Sequence, residues 1–275
     1  MLIVLYILIS LEFKMKDYKN FKIAVDAIDF FETTIQSTLL VDCLQMTNTY
    51  LESLYKIFSE LNFDLFEVLG QRNLSGLIGE IFSRYVCNEL KICILNPHPD
   101  GRPDILNIQD KKTKKYFEEE CFSIVGNRRI PLKAKFTPFK YGGIEVKCTI
   151  GSPINNYKKI LFEKTGKRDF AMGMPRINYL DSFNYWAHHR HSTNLVCLYY
   201  DYYESKHNIP QVLSIFSVSL NENDWNVVSL GKTSAKKTSN TSLNKDGRKK
   251  LYSSCIAIVD DSIYINKFSK IGITF

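Results

Sequence analysis

The spacing of apolar residues divides the chain into a first part of helical character and a second part of strand character. Apolar residues recur every three or four positions in residues 21–40, and two further runs of this kind cover residues 50–61 and 74–90. This spacing predicts three amphipathic helices. We therefore expect residues 17–90 to be a mainly helical region, with Glu80 inside its third helix.

From residue 91 onward the pattern is typical of strands. Short apolar or alternating runs predict strands at 91–95, 104–108, 116–125, 144–150, 194–203, 212–220 and 225–230, and residues 251–275 alternate in the same way. Lys111 to Lys115 is typical of a hairpin turn. Ser152-Pro153 predicts the start of a helix that ends at Gly166, and residues 179–189 predict a short helix. The succession predicts an α/β fold with a mixed central β-sheet flanked by helices.

The first residues form a short apolar run. Met1 to Leu11 is apolar, and charged residues follow it. A membrane-spanning helix needs roughly 20 apolar residues, and a signal peptide carries positive charge before its apolar stretch, so the run fits neither. We expect translation to begin at Met15. Residues 1–14 would then be an upstream extension, or else a loosely held strand, and residues 15–275 a single domain.

Composition limits the chemistry that the chain can carry. Its 275 residues include 36 Lys and Arg against 29 Asp and Glu, a net charge of +7, which permits a polyanionic partner without requiring one. The seven cysteines include no Cys-x-x-Cys pair. We therefore expect free thiols in a reducing cytoplasm, and neither a disulfide framework nor a zinc site. The sequence also lacks the Gly-x-Gly-x-x-Gly, Gly-x-Ser-x-Gly and His-Glu-x-x-His patterns of dinucleotide pockets, serine hydrolases and zinc proteases.

Three charged side chains in the strand region can act together. Glu145 and Lys147 stand two positions apart in a predicted strand, so both project from the same face. Asp104 follows Pro103 at the start of another predicted strand, and it meets Glu145 if the two strands pair. Adjacent carboxylates repel each other unless a hard divalent cation such as Mg²⁺ lies between them. A nearby Lys can then orient or deprotonate an attacking water.

Pro103-Asp104 followed by Glu145-Val146-Lys147 resembles the signature of the PD-(D/E)XK nuclease superfamily. Glu80 is placed as the acidic residue that the preceding helix often carries in that superfamily. The order of predicted elements (helix, strand, PD strand, ExK strand, helix, strand) is similar as well. The resemblance covers residues 74–205 and implies a restriction-endonuclease-like catalytic core there. Outside it, we expect strands and a basic loop in residues 206–275.

The resemblance also implies a role for each motif residue. Asp104 and Glu145 would bind Mg²⁺ together with the backbone carbonyl of Val146. Lys147 would act on the attacking water, and Glu80 would support a metal ion or its hydration shell.

Two alternatives accompany this assignment. The 41 positions between Asp104 and Glu145 require an inserted turn or arm, and Asp100 is a rival for the first carboxylate. We prefer Asp104 because a strand follows it directly, whereas the residues after Asp100 are typical of a turn. Without catalysis, Glu145 and Lys147 would be an exposed ion pair on a strand, and Glu80 a solvated helix position.

Two basic stretches are candidates for DNA contact. Residues 127–168 hold eleven Lys or Arg against two acidic side chains, and residues 232–250 hold seven against one. Positive surfaces of this kind suit phosphodiester binding. The side chains that we expect to contact DNA are His189, Arg190 and His191, at a helix end before the strand at 194–203, and Lys236 and Lys237. For His189, Arg190 and His191, the alternative is a surface helix C-terminus. For residues 232–250, the alternative is a solvated loop.

Within that superfamily, a single-domain chain without an ATPase motif looks most like a type II restriction endonuclease. The resemblance implies Mg²⁺-dependent hydrolysis of double-stranded DNA to 5′-phosphate and 3′-hydroxyl ends by a homodimer. It also implies a cognate DNA methyltransferase in the same system. From the cysteines and the short first apolar run, we expect a cytoplasmic location and no membrane partner. A structure-selective repair or junction-resolving nuclease is the alternative within the enzyme class. A non-catalytic DNA-binding protein with a vestigial site is the alternative outside it.

Overall fold

Helices and strands are interleaved along the chain. The computed structural model describes residues 21–136, 141–150, 185–186, 194–202, 209–227, 229–230, 239–270 and 272–273. Its strands are β1 (Phe21–Ile23), β2 (Ala27–Phe30), β3 (Thr33–Gln36), β4 (Cys93–Leu95), β5 (Ile105–Asn107), β6 (Phe122–Val125), β7 (Arg128–Pro131), β8 (Glu145–Thr149), β9 (Tyr185–Trp186), β10 (Asn194–Tyr202), β11 (Pro210–Ser219), β12 (Ser229–Leu230), β13 (Ser239–Thr241) and β14 (Cys255–Val259). Its α-helices are α1 (Ser37–Glu60), α2 (Leu65–Val68), α3 (Gln71–Glu89), α4 (Lys111–Lys115), α5 (Lys133–Phe136), α6 (Lys245–Tyr252) and α7 (Ser262–Ser269).

The central sheet has the strand order β1-β14-β11-β10-β8. β8 and β10 run parallel, and the other neighbouring strands run antiparallel. The protein is therefore mixed α/β with a mixed central sheet, as predicted. Within the described ranges, β8 is an edge strand of this sheet. A parallel pair needs a crossover connection, and this one falls in residues 150–193, most of which lie outside the described ranges.

The hairpin formed by β4 and β5 meets the central sheet where β8 begins. β4 and β5 pair antiparallel, and Ile105 exchanges two backbone hydrogen bonds with Ile144, at 3.0 and 2.9 Å. Gly143 makes this approach possible. Its φ is 128°, and a Cβ atom there would lie 2.2 Å from Cγ of Pro103. The strand that follows Asp104 is thereby brought against the start of β8.

Helices cover both faces of the central sheet. On one face, α1 and α3 contribute buried side chains such as Leu44 and Phe82. On the other face, α6 and α7 contribute Leu251 and Phe268. β10 and β11 lie between these two cores and are buried almost throughout. A strand buried on both faces needs no polar positions, which explains their nearly continuous apolar sequences.

Several predicted elements are confirmed. The third predicted helix is α3, whose Ile78, Phe82 and Val86 are buried. The strands predicted at 91–95, 104–108, 144–150, 194–203 and 212–220 are β4, β5, β8, β10 and β11.

The helix predicted for residues 21–40 is wrong up to Gln36. These residues form β1 and the β2–β3 hairpin, in which Phe30 pairs with Thr33. The hairpin turns at Phe31 and Glu32, whose φ angles are 55° and 61°. Two positive φ angles make the two-residue turn that matches the twist of a hairpin, but Asn and Gly are the residues that normally signal it. Here the sequence carried no such signal, so the apolar spacing indicated a helix instead.

Local predictions after residue 110 also need correction. Lys111–Lys115 is a short helix, because the Asp110 side chain caps it by accepting a hydrogen bond from the Thr113 amide at 2.9 Å. The strand predicted from Tyr116 begins only at Phe122, after a π-helical turn. Tyr185–Trp186 is a strand, not part of a helix.

The C-terminal part contains two helices that were predicted as a basic loop and strands. Asn244 caps α6 by accepting hydrogen bonds from the amides of Asp246 and Gly247, and Asp261 caps α7 through the amide of Ile263. Both caps are residue types that favour a helix N-terminus. They outweigh the strand-like alternation, and only β14 within residues 251–270 is a strand.

Two further predictions have structural outcomes. The seven cysteines are all free thiols, as predicted. No helix in the described part of the chain is both long enough and apolar enough to cross a membrane. Residues 1–14, the predicted extension, lie outside the described ranges.

Candidate active site

The carboxylate of Asp104 lies at the edge of β8. Its Oδ2 accepts a hydrogen bond from the backbone N–H of Val146, with an N–O distance of 2.8 Å. β5 begins at the next residue, Ile105, which is bridged to Ile144. The two halves of the motif are therefore on adjacent strands, and Asp104 lies directly beside the Glu145-Val146 peptide.

Arg102 links the two motif carboxylates. Its Nη1 lies 3.7 Å from Oδ1 of Asp104, and its Nε lies 3.7 Å from Oε1 of Glu145. Both carboxylates therefore face one cationic group. The sequence reasoning missed Arg102, although a cation directly before Pro103-Asp104 was a usable signal.

Glu145 is buried, with 2% of its surface exposed. Burial raises the pKa of its carboxyl from 4.5 to about 7, and the nearby cations of Arg102 and Lys147 oppose that rise. Burial disfavours the charged form of a carboxyl group, whereas a neighbouring positive charge restores it. Glu145 therefore changes charge close to neutral pH.

Lys147 lies two positions further along β8, beside Cys197 of β10. Burial lowers the pKa of its amine from 10.5. A lysine with a lowered pKa gives up its proton more readily and can then accept one from water. Its environment suits the role in activating water that the resemblance implies.

The pleat of β8 sends neighbouring side chains to opposite faces of the sheet. Val146 packs into the core formed with α1 and α3. Glu145 and Lys147 therefore point to the opposite face, together with their register partners Leu195 and Cys197. The shared face that the spacing predicts for Glu145 and Lys147 is the one turned away from α3.

A cavity of about 580 Å³ lies on the α3 side of β8. Glu80 of α3 lines it together with Arg102, Asp104 and Val146. Glu80 is thus brought to a cavity that it shares with Asp104, while Glu145 lies across the strand. Asp104, at the edge of β8, lines the cavity with Glu80 and shares Arg102 with Glu145.

The rival carboxylate, Asp100, has a different partner. Its Oδ2 accepts a hydrogen bond from Nζ of Lys133 at 3.1 Å. This hydrogen bond and the charge of Lys133 hold the pKa of Asp100 below its usual value. Asp104, and not Asp100, is the carboxylate beside the Glu145-Val146 peptide.

The five side chains expected to contact DNA all lie outside the described residues: His189, Arg190, His191, Lys236 and Lys237. The described basic residues of the second stretch are in α6, where Nζ of Lys250 pairs with Asp224 at 2.7 Å.

The carboxylates at the β8 edge fit Mg²⁺ in type. In the described ranges, no group of three or more His, Cys, Asp or Glu side chains is arranged to hold a metal ion. Mg²⁺ does not require such a group, because it commonly takes one or two carboxylates and completes its shell with water and substrate phosphate. Asp104 and Glu145 provide the two carboxylates and already face one positive group, Arg102.

Comparisons with known proteins identify no family. No protein-family model, no curated protein and no solved structure matches the chain. The function is therefore inferred from the geometry of the residues around Asp104 and Glu145.

Proposed function

We propose that this protein is a Mg²⁺-dependent endonuclease that cuts double-stranded DNA at a site of the PD-(D/E)XK type. The observation that carries the proposal is the contact of Asp104 with the amide of Val146. Arg102 then lies 3.7 Å from an oxygen of each motif carboxylate. The order of α3, β4, β5, β8 and β10 along the chain is consistent with the proposal. The helix that the resemblance implies between β8 and β10 lies outside the described residues.

In this proposal the motif residues divide the work. Asp104 and Glu145, with the carbonyl of Val146, hold Mg²⁺, which when bound neutralises phosphate charge and favours ionisation of water. Lys147, half-buried next to Glu145, orients the attacking water or takes its proton. Arg102 holds positive charge beside the carboxylates, where a phosphate oxygen can replace them as its partner.

The specific form that we propose is a type II restriction endonuclease. It would act as a homodimer and leave 5′-phosphate and 3′-hydroxyl ends. A cognate DNA methyltransferase would protect the host DNA. These features rest on the resemblance of Pro103-Asp104 and Glu145-Val146-Lys147 to the superfamily signature.

Incubating the purified protein with phage-length duplex DNA tests the proposal. Parallel reactions contain Mg²⁺ or EDTA. Discrete bands with Mg²⁺ alone are the expected result. A smear would favour a nonspecific or structure-selective nuclease over a restriction enzyme. Intact DNA in both reactions, accompanied by a mobility shift, would overturn the proposed nuclease activity and favour a non-catalytic DNA-binding protein.

Two variants make the experiment specific to this site. Glu145→Gln is expected to bind DNA without cutting it, and Asp100→Asn is expected to cut normally. If Glu145→Gln preparations cut as well as the unaltered protein, the activity belongs to another site or to a contaminant.

A further inference from the structure

The cavity beside α3 contains groups that the proposed cleavage reaction does not use. Besides Glu80 and Asp104, its lining includes Arg84, His98 and Tyr85. Its volume of about 580 Å³ lies within the range of about 300–1,000 Å³ that is usual for small-ligand sites. The cavity is therefore large enough for a ligand much bigger than a metal ion.

One wall of the cavity is a loop, residues 96–104, that is held in shape by its own hydrogen bonds. The Asn96 side chain donates to the carbonyl of Pro103 at 2.9 Å and accepts from the amide of His98 at 3.0 Å. Its backbone amide donates to the carbonyl of Asp104 at 2.9 Å. A side chain at Gly101 would lie 2.2 Å from Oδ1 of Asn96, so glycine is required for this packing. The wall is thus formed before any ligand arrives.

His98 is held in one tautomer by this loop. Its Nδ1 accepts a hydrogen bond from the backbone amide of Asp100 at 3.0 Å. A neutral imidazole that accepts at one nitrogen carries its proton on the other. Nε2 of His98 is therefore the nitrogen left to donate to a ligand in the cavity.

The other groups lining the cavity match the parts of a nucleotide. Arg84, one turn after Glu80 on α3, provides a guanidinium group, the best side chain for binding a phosphate. Tyr85 and Tyr50 provide aromatic rings, on which bases stack regardless of sequence. Glu80 accepts hydrogen bonds, as the amino groups of bases require. A bare anion would use only Arg84 and His98, whereas a nucleotide uses all of these groups.

We propose that this cavity binds a single unstacked nucleotide of the substrate strand. The phosphate contacts His98 and Arg84, and the base lies against the tyrosines. The inference rests on the proposed function, because Asp104 lines the same cavity and places this nucleotide next to the bond that is cut. A nucleotide in such a pocket has left the base stack of the duplex, at the cost of unstacking it.

Calorimetric titration of the full chain with the four 2′-deoxynucleoside 5′-monophosphates tests this in EDTA. We expect the monophosphates to bind, and the nucleosides without phosphate to bind at least about tenfold more weakly, which corresponds to about 1.4 kcal/mol. His98→Gln and Arg84→Gln should each weaken monophosphate binding several-fold. Inorganic phosphate that binds as tightly as the nucleotides would overturn the assignment to a nucleotide.

Arg72→Gln, at an exposed position of α3 outside the cavity lining, is the matched control and should bind like the unaltered protein. Equal thermal midpoints would show that the variants are folded. Variants that bind as well as the unaltered protein, or an unaltered protein that binds no monophosphate, would overturn the proposal. Cleavage of DNA with Mg²⁺ distinguishes the two ideas. If the protein cleaves DNA but binds no monophosphate, only the nucleotide site is rejected. If it binds monophosphate but does not cleave DNA, only the nuclease activity is rejected.

Discussion

Oδ2 of Asp104 lies 2.8 Å from the backbone nitrogen of Val146, although the two residues are 42 positions apart in the chain. The intervening segment does not hold the strands apart, because it folds onto itself. Phe117, Cys121 and Phe136 form a small core with Leu106 of β5. The insertion that the sequence requires between the motif strands is therefore a packed arm, built outward from β5, that returns the chain to β8.

Replacing Asp104 by Asn should abolish cleavage and leave the strand contact in place. The side-chain oxygen of Asn can still accept the Val146 hydrogen bond, but one anionic metal ligand is lost. We expect the cleavage rate to fall by at least about 100-fold, with little change in thermal midpoint. Asp100→Asn is the control and should remain active. The reverse pattern would move the site to Asp100.

The pKa of Glu145 predicts a pH-dependent stability. It is raised from 4.5 to about 7, so the folded protein keeps a proton that the unfolded chain releases. The stabilisation from this proton is fully present below 4.5, the pKa of Glu145 in the unfolded chain. It is lost as the pH rises through about 7, the pKa of Glu145 in the folded protein. It amounts to about 3 kcal/mol.

Glu145→Gln should remove this pH dependence. Urea unfolding in EDTA should give the two proteins similar stability at acid pH, where Glu145 is protonated. The variant should be the more stable one above the pKa of Glu145, because no buried charge forms. Parallel pH profiles for the two proteins would contradict the assignment.

Removing Arg102 should increase the affinity of the free protein for a divalent cation. Arg102 lies 3.7 Å from an oxygen of each motif carboxylate, so an arriving metal ion must displace it. We expect Arg102→Ala to bind Mn²⁺ up to about fivefold more tightly, as the loss of an ion pair of about 1 kcal/mol would give. Calorimetry without DNA, well above the pKa of Glu145, measures this. Weaker binding in the variant would instead make Arg102 a support for the carboxylates.

Gly143→Ala should destabilise the protein much more than Gly142→Ala. Both glycines have positive φ angles, 128° and 71°. A Cβ at Gly143 would lie 2.2 Å from Cγ of Pro103, whereas one at Gly142 would meet nothing within 4 Å. Gly142→Ala therefore measures the backbone strain alone, about 1–2 kcal/mol. The additional loss in Gly143→Ala measures the clash between the motif strands. Urea unfolding should show a larger loss for Gly143→Ala, and equal losses would mean that the strands separate easily.

The residues of the candidate site could be predicted in part from the sequence. Asp104, Glu145 and Lys147 stand beside or within short strands whose alternation is local, so both the strands and the shared face of Glu145 and Lys147 follow from spacing. The sharing of Arg102 by two carboxylates does not follow from spacing. It depends on how the loop 96–104 is folded by Asn96 and Gly101, which are not adjacent to the motif.

The wrong predictions have a common physical origin. Apolar spacing reports which positions are buried, but hydrogen bonds at the ends of elements decide between helix and strand. Asp110, Asn244 and Asp261 cap helices where turns or strands were predicted. Phe31 and Glu32 form a hairpin turn without the residues that usually favour one. The position of Glu80 across β8 from Glu145 depends on strand pleat and helix packing together, and neither is written in a local pattern.

In the described part of the chain, β8 is an edge strand, so a strand of the central sheet lies beside it on one side only. Exposed edges recruit strands from neighbouring chains and start aggregation, and charged side chains at the edge discourage this. Asp104 covers the Val146 amide at that edge and adds a negative charge. We therefore expect Asp104, proposed as a Mg²⁺ ligand, also to reduce aggregation through the edge of β8. A preparation inactivated by Asp104→Ala should therefore precipitate sooner than one inactivated by Lys147→Ala.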